Sequence, residues 1–170
     1  MKWIGAILLL CATTLIGFDI AKRLENRPRQ IRQLKNALQV MEAEIVYGHS
    51  PVQEVFLRLS KQVPKPLALL FHQLYLELEN KQLSLYEVWK STLDNFWHKT
   101  AMKKEEKEVM EQFGQTLGQH DFVQQQKHIR LALSHLDREL ESAEEEKRKY
   151  GRMARSLGVL GGLFIILLFI

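Results

Sequence analysis

Apolar positions recur along this chain at steps of three and four, the spacing that lines one face of an α-helix. Ile31, Leu34, Leu38, Met41 and Ile45 follow it, as do Val52, Val55, Phe56 and Leu59. A third stripe holds Leu67, Leu70, Phe71, Leu74, Tyr75 and Leu78, and a fourth Leu85, Val88, Trp89, Thr92, Leu93 and Phe96. Val109, Met110, Phe113 and Leu117 make a fifth, over about residues 103–117. The sixth and longest runs from Ile129 through Leu133, Leu136, Leu140 and Ala143 to Tyr150. No stretch alternates with period two, so the pattern predicts an all-α fold, a compact bundle of about six helices. The first and last stripes suit helices lying antiparallel to each other.

Turn and cap residues divide the same stretches. Pro28 predicts a break or kink, since proline fits the first turn of a helix better than its interior. Gly48 predicts a helix end. Ser50-Pro51-Val52-Gln53 and Ser84-Leu85-Tyr86-Glu87 each set a serine three residues before a Gln or Glu, the spacing of a capping box. Val63-Pro64-Lys65-Pro66 predicts a corner and Asn80-Lys81-Gln82 a turn. Gly118 closes the fifth helix, and Asp121 with Gln124 is placed to cap the sixth.

The two ends have a different character. Residues 3–18 are an apolar run of 16, and residues 157–170 carry no polar side chain. Drawn back to Met153, the second reaches 18 residues, or about 27 Å of helix, near the thickness of a hydrocarbon core. Both are expected to be transmembrane helices flanking the bundle: an anchor over 1–21, a helical-bundle domain over 22–152, and a second anchor over 153–170. Only Lys2 precedes the first run, while Lys22, Arg23, Arg27, Arg29, Arg32 and Lys35 follow it. That order opposes a cleaved export signal. Lys147, Arg148, Lys149, Arg152 and Arg155 flank the second run on its domain side. The positive-inside rule then puts the domain in the cytoplasm. Gly17 with Ala21, and Gly158 with Gly162, have the small-xxx-small spacing that lets membrane helices pack closely, although ordinary membrane-helix glycines look the same.

Charge changes the picture less than its total suggests. A net charge of +4 and a pI near 9.2 would fit a nucleic-acid partner. Between residues 36 and 146, however, 12 basic residues face 18 acidic ones, and a body that acidic repels phosphate backbones. Cys11 is the single cysteine, so no internal disulfide can form. Leu10 before it lacks the small side chain a lipoprotein site requires.

Candidate chemistry is sparse. There is no phosphate-binding glycine loop, cysteine pair or HExxH motif. His128 and His135 share a helix face, with His120 near its start, but metal sites need three or four ligands at tighter spacing. Trp89, Phe96 and Trp97 read as core, with Trp97 just off the main face. No catalytic, metal or cofactor residue is assigned, and neither an enzyme nor a small-molecule substrate is expected. Glu105, Glu106, Glu108 and Glu111 form an acidic run, either a solvated face paired with nearby lysines or a surface for a basic partner.

Several ordered motifs carry a resemblance. They are Arg27-Pro-Arg-Gln-Ile-Arg-Gln-Leu34, Glu42-Ala-Glu-Ile-Val-Tyr-Gly48, Pro64-Lys-Pro66 and Ser156-Leu-Gly-Val-Leu-Gly161. To these belongs a run holding Phe113, Gly114, Leu117, Gly118 and Asp121, with Gln125 beyond it. In this order the chain resembles the stage III sporulation protein AB family over nearly its whole length. The resemblance implies a component of a secretion-like channel between mother cell and forespore, seated in the mother-cell membrane and required for sporulation. It implies a cytoplasmic helical domain like the platform proteins of type II secretion and type IV pilus machines. The partners implied are a secretion-type ATPase and the other channel components. A membrane-tethered helical adaptor unrelated to secretion is the alternative that the residues alone leave open.

Overall fold

The computed structural model describes residues 2–79, 83–119 and 122–169, with side chains defined from Leu15 to Gly151 outside those gaps and at Ala12, Met153, Ser156 and Leu160. Every regular element among the described residues is helical. The elements are α1 (Lys2–Glu42), a π-helical turn (Ala43–Tyr47), α2 (Val52–Gln62), α3 (Leu67–Glu79), α4 (Leu85–Phe96), a 3-10 turn (Trp97–Lys99), α5 (Lys104–Thr116) and α6 (Phe122–Phe169). The expected six-helix, all-α architecture is therefore present. The chain divides into two compact units, one of Arg29–Leu140 and one of Met1–Pro28 with Glu141–Ile170.

The Arg29–Leu140 unit is built on large buried side chains. Trp89 and Phe56 lie with ring centroids 5.8 Å apart, Phe56 and Phe71 at 6.1 Å, and Phe113 meets Trp89 edge-on at 5.7 Å. Leu34, Leu38, Leu59, Leu70, Leu74, Leu93 and Leu136 are fully buried around them. The predicted antiparallel pairing of the first and last stripes holds within this unit. Lys35 pairs with Asp137, and one oxygen of Glu42 accepts hydrogen bonds from Arg130 Nε at 3.1 Å and Gln126 Nε2 at 2.8 Å. Seven residues forward along α1 correspond to seven residues back along α6, as two helices running in opposite directions require.

The caps behave differently at the two serines. Ser84 accepts from the Glu87 N–H at 3.3 Å while the Ser84 N–H donates to Glu87 Oε2 at 2.8 Å, a complete capping box. Ser50 makes no cap: Pro51 holds the N-cap position of α2, and Ser50 Oγ donates instead to Glu44 Oε2 at 3.0 Å. The π-helical turn sets Glu44 beside it. The Glu44 carboxylate, a charge-assisted acceptor, holds the hydroxyl away from the Gln53 N–H that a capping serine would accept from. Val63–Pro66 is the expected corner, with a cis Lys65–Pro66 bond.

Two expectations need correction. Of the break or kink expected at Pro28, the break does not occur: α1 runs through it. Arg27 and Ile31 on either side are both buried, and that packing outweighs the cost of the missing N–H. Trp97, read as core just off the main face, is core: the chain leaves α4 through a 3-10 turn that carries its ring inward. There it is buried and its Nε1 donates to the Lys103 carbonyl at 2.8 Å. Tyr150 is 44% exposed instead of lying on the seam, with Lys149 Nζ 5.1 Å from its ring centroid. A strict seven-residue repeat drifts by about 20° per heptad on a straight helix, and three heptads from Ile129 carry Tyr150 off the face.

In the unit formed by Met1–Pro28 and Glu141–Ile170, the buried residues are Gly17, Ala21, Arg27, Pro28 and Ala143 among those described. Leu15, Ile16, Phe18, Ile20 and Leu160 are exposed. Among the described residues no helix is long and apolar enough to cross a membrane. The two expected spans fall mainly on residues whose side chains lie outside the description. So do Gly158 and Gly162, while the Asp121 cap, His120 and the turn at residues 80–82 lie outside the described residues altogether.

Candidate interaction surface

The motif residues around 113–125 form a joint between α4, α5 and α6. Gly114 lies against the face of Trp89: a Cβ there would sit 2.1 Å from the indole Cδ1. The absence of a side chain admits the indole close enough for Trp89 Nε1 to donate to the Met110 carbonyl at 2.7 Å. Phe113 closes the ring from the side and Leu117 is buried below. Gly118 has a φ of +74°, a left-handed turn that a Cβ disfavours, and its N–H donates to the buried Gln125 Oε1 at 3.1 Å. Phe113, Gly114, Leu117, Gly118 and Gln125 thus fix the α5–α6 connection. They are packing residues, and the group presents little to a partner.

The acidic run on α5 is not one face. Glu106 is fully buried at the third helical position, and its carboxylate accepts the Lys103 backbone N–H at 2.7 Å. That is a helix-start role, and the sequence spacing hid it because the N-cap residue is a lysine rather than a serine or aspartate. Glu105 and Glu108 are exposed, and Glu111 is half-buried. Lysines thread between them. Lys104 pairs with Glu108 at 2.9 Å, and Lys107 reaches Asp94 on α4 at 2.5 Å and Glu111 at 3.3 Å. Hydrogen bonding to Glu108 raises the Lys104 pKa, and hydrogen bonding to Asp94 is the main cause of the same shift at Lys107. The surface is a mixed-sign network with Glu105 and Glu108 at its outer edge.

Beside this face, α5 and α6 leave an open cleft of about 170 Å³. Val109, Phe113 and Ala132 floor it, and Gln112, His128 and His135 are among its polar walls. His135 Nδ1 contacts Arg138. No group of three metal-ligating side chains occurs among the described residues. The cleft was invisible in the sequence, because periodicity gives the face of each helix and not the gap between two.

In the other unit, Arg27 is buried and its Nη1 donates to Glu146 at 2.9 Å, tying α1 to α6. Gly17 and Ala21 are both buried. Arg23 pairs with Asp19 one turn away at 3.2 Å.

Comparison with known proteins bears on the whole chain. The family model described as stage III sporulation protein AB matches residues 2–170. The chain is similar to stage III sporulation protein AB of Bacillus subtilis (strain 168), 45% identical over 168 residues, covering 99% of this chain and 98% of the relative. A solved structure of a stage III sporulation protein AB superposes with a TM-score of 0.69 at 44% identity, covering 73% of this chain and 98% of that one.

Proposed function

The chain belongs to the stage III sporulation protein AB family, and from that premise we propose that it is a non-catalytic membrane platform of the sporulating mother cell. In this reading the residues at the two ends anchor it as two spans, and the Arg29–Leu140 bundle faces the cytoplasm. There it engages a secretion-type ATPase and holds other components of a secretion-like channel, as platform proteins of type II secretion and type IV pilus machines do. The observation that carries the reading is the contrast in burial. The bundle gathers most of its large apolar residues into a core and exposes others singly, whereas in the other unit Leu15, Ile16, Phe18, Ile20 and Leu160 are exposed and no large apolar side chain among the described residues is buried. Such side chains want a non-aqueous medium, and the basic residues that flank them suit the inner membrane face.

The partner face proposed for the ATPase is the outer edge of α5, at Glu105 and Glu108, since Glu106 is buried. Charge reversal, Glu105→Lys with Glu108→Lys, should weaken co-purification with the ATPase, most strongly at low ionic strength. Equal recovery of wild type and variant at low salt would remove this face. The membrane arm is tested separately. A cysteine at His98 should react with impermeant thiol reagents only from the cytoplasmic side, and labelling from outside would overturn the orientation.

A further inference from the structure

Where α5 and α6 part, an apolar notch with polar walls is left open, and its size limits what it can take. It encloses about 170 Å³ over Val109, Phe113 and Ala132. Cofactors and drug-sized ligands occupy pockets of about 300–1,000 Å³, whereas a cavity of about 150 Å³ admits one benzene ring. The notch therefore suits a single aromatic or leucine side chain. Leu131, on α6 and 49% exposed, extends its apolar lip. The α5 side adds two polar markers. Glu105, Val109 and Gln112 follow steps of four and three, so they share one helix face over about 10 Å. Glu108 pairs with Lys104 and Glu111 with Lys107. Among the described residues the exposed Glu105 carboxylate makes no ion pair and the exposed Gln112 amide no side-chain hydrogen bond. Arg138, against His135 on the α6 side, repels a cation there.

We infer that this notch seats a helix of the partner protein that carries one aromatic or leucine side chain and, about one turn from it, a Lys or Arg. The apolar side chain enters over Val109 and Ala132, the cation meets Glu105, and Gln112 bonds a polar group on the other side. The spacing selects a helix as occupant: side chains three or four apart on a helix stand on one face, and Glu105 lies one turn from Val109. Burial of the anchor supplies most of the affinity, as at interface hot spots, while the exposed ion pair governs approach and orientation. The inference rests on the platform reading, with the ATPase as the protein that supplies the helix, and deepens it by naming what the surface recognises.

The test is binding of the ATPase to the full chain in mild detergent, at low and at high salt, with circular dichroism to confirm that each variant is folded. Val109→Trp fills the notch and should weaken binding roughly tenfold at both salt concentrations. Leu131→Gln, an uncharged change at an exposed position, should weaken it in the same salt-independent way and carries the test alone if Val109→Trp does not fold. Glu105→Lys should weaken binding chiefly at low salt. A photo-reactive residue, Leu131→p-benzoylphenylalanine, should cross-link to an ATPase peptide that holds an aromatic or leucine with Lys or Arg three or four residues away. Undiminished binding by the folded notch variants overturns the inference and leaves the platform reading standing, as does a cross-linked peptide without that pair. A wild type that binds no ATPase at either salt concentration overturns the platform reading, and the occupant assigned to the notch with it.

Discussion

The two units of this molecule solve the burial problem in opposite ways. Arg29–Leu140 closes over four aromatic rings in contact, Phe71, Phe56, Trp89 and Phe113, and over leucines from α1 to α6. Met1–Pro28 with Glu141–Ile170 buries glycine, alanine and an ion pair, and leaves larger apolar side chains outward. The first gathers bulk inward, whereas the second, among the described residues, keeps Gly17, Ala21, Arg27 and Ala143 inward and Leu15, Ile16, Phe18 and Ile20 outward. The difference teaches that Arg27, buried and paired with a partly exposed Glu146, marks the side of α1 that faces protein.

The sharpest way to break that contrast is Trp89→Ala. The change empties the centre of the larger unit and strips the Met110 carbonyl of its donor, so the expected loss is about 3–5 kcal/mol. Circular dichroism against denaturant measures it, and a loss under about 1 kcal/mol would mean the aromatic cluster is not what holds the bundle. Arg27→Ala probes the other unit. Removing one side of a buried pair costs about 3–5 kcal/mol when both partners are enclosed, and Glu146 is partly exposed, so about 2 kcal/mol is expected. The readout is local: amide exchange should quicken over residues 20–28 and 141–150 and hold steady over 85–117. Uniform quickening would erase the distinction between the units.

The smallest effects lie at the two serines. Ser84→Ala should cost about 1 kcal/mol and Ser50→Ala less, since only the first is a cap. Acid dependence sharpens the same point. Hydrogen bonds from Arg58 and Ser50 lower the Glu44 pKa, and those from Ser84 lower that of Glu87, both from an ordinary 4.5. A depressed pKa stabilises the fold above the unfolded value and is lost as pH falls through the folded one. Glu44→Gln with Glu87→Gln should therefore flatten the loss of stability below about pH 4.5. An unchanged acid limb would show that these contacts are not maintained in solution.

Helix number, order and inward faces were legible because burial follows a period that the sequence prints directly. Leu38 and Leu136, on the first and last stripes, are both fully buried. What escaped reading depended on neighbours far along the chain. Ser50 has the letters of a cap, but Glu44 draws off its hydroxyl. Glu106 reads as one more surface acid because nothing local shows that Lys103 begins a helix. Pro28 reads as a breaker because the buried flanks that override it are set by long-range packing. The Glu105–Glu111 run was visible as charge, yet its threading by Lys104 and Lys107 required the third dimension.

The notch at Gly114 has a mechanical corollary. Sliding α5 by one turn in either direction would bring Met110 or Gly118 beneath the indole of Trp89, the one too bulky for the gap and the other already off the helix. The indole thus acts as a pawl with a single tooth to engage. An axial displacement of α5 would therefore carry α4 with it through this joint.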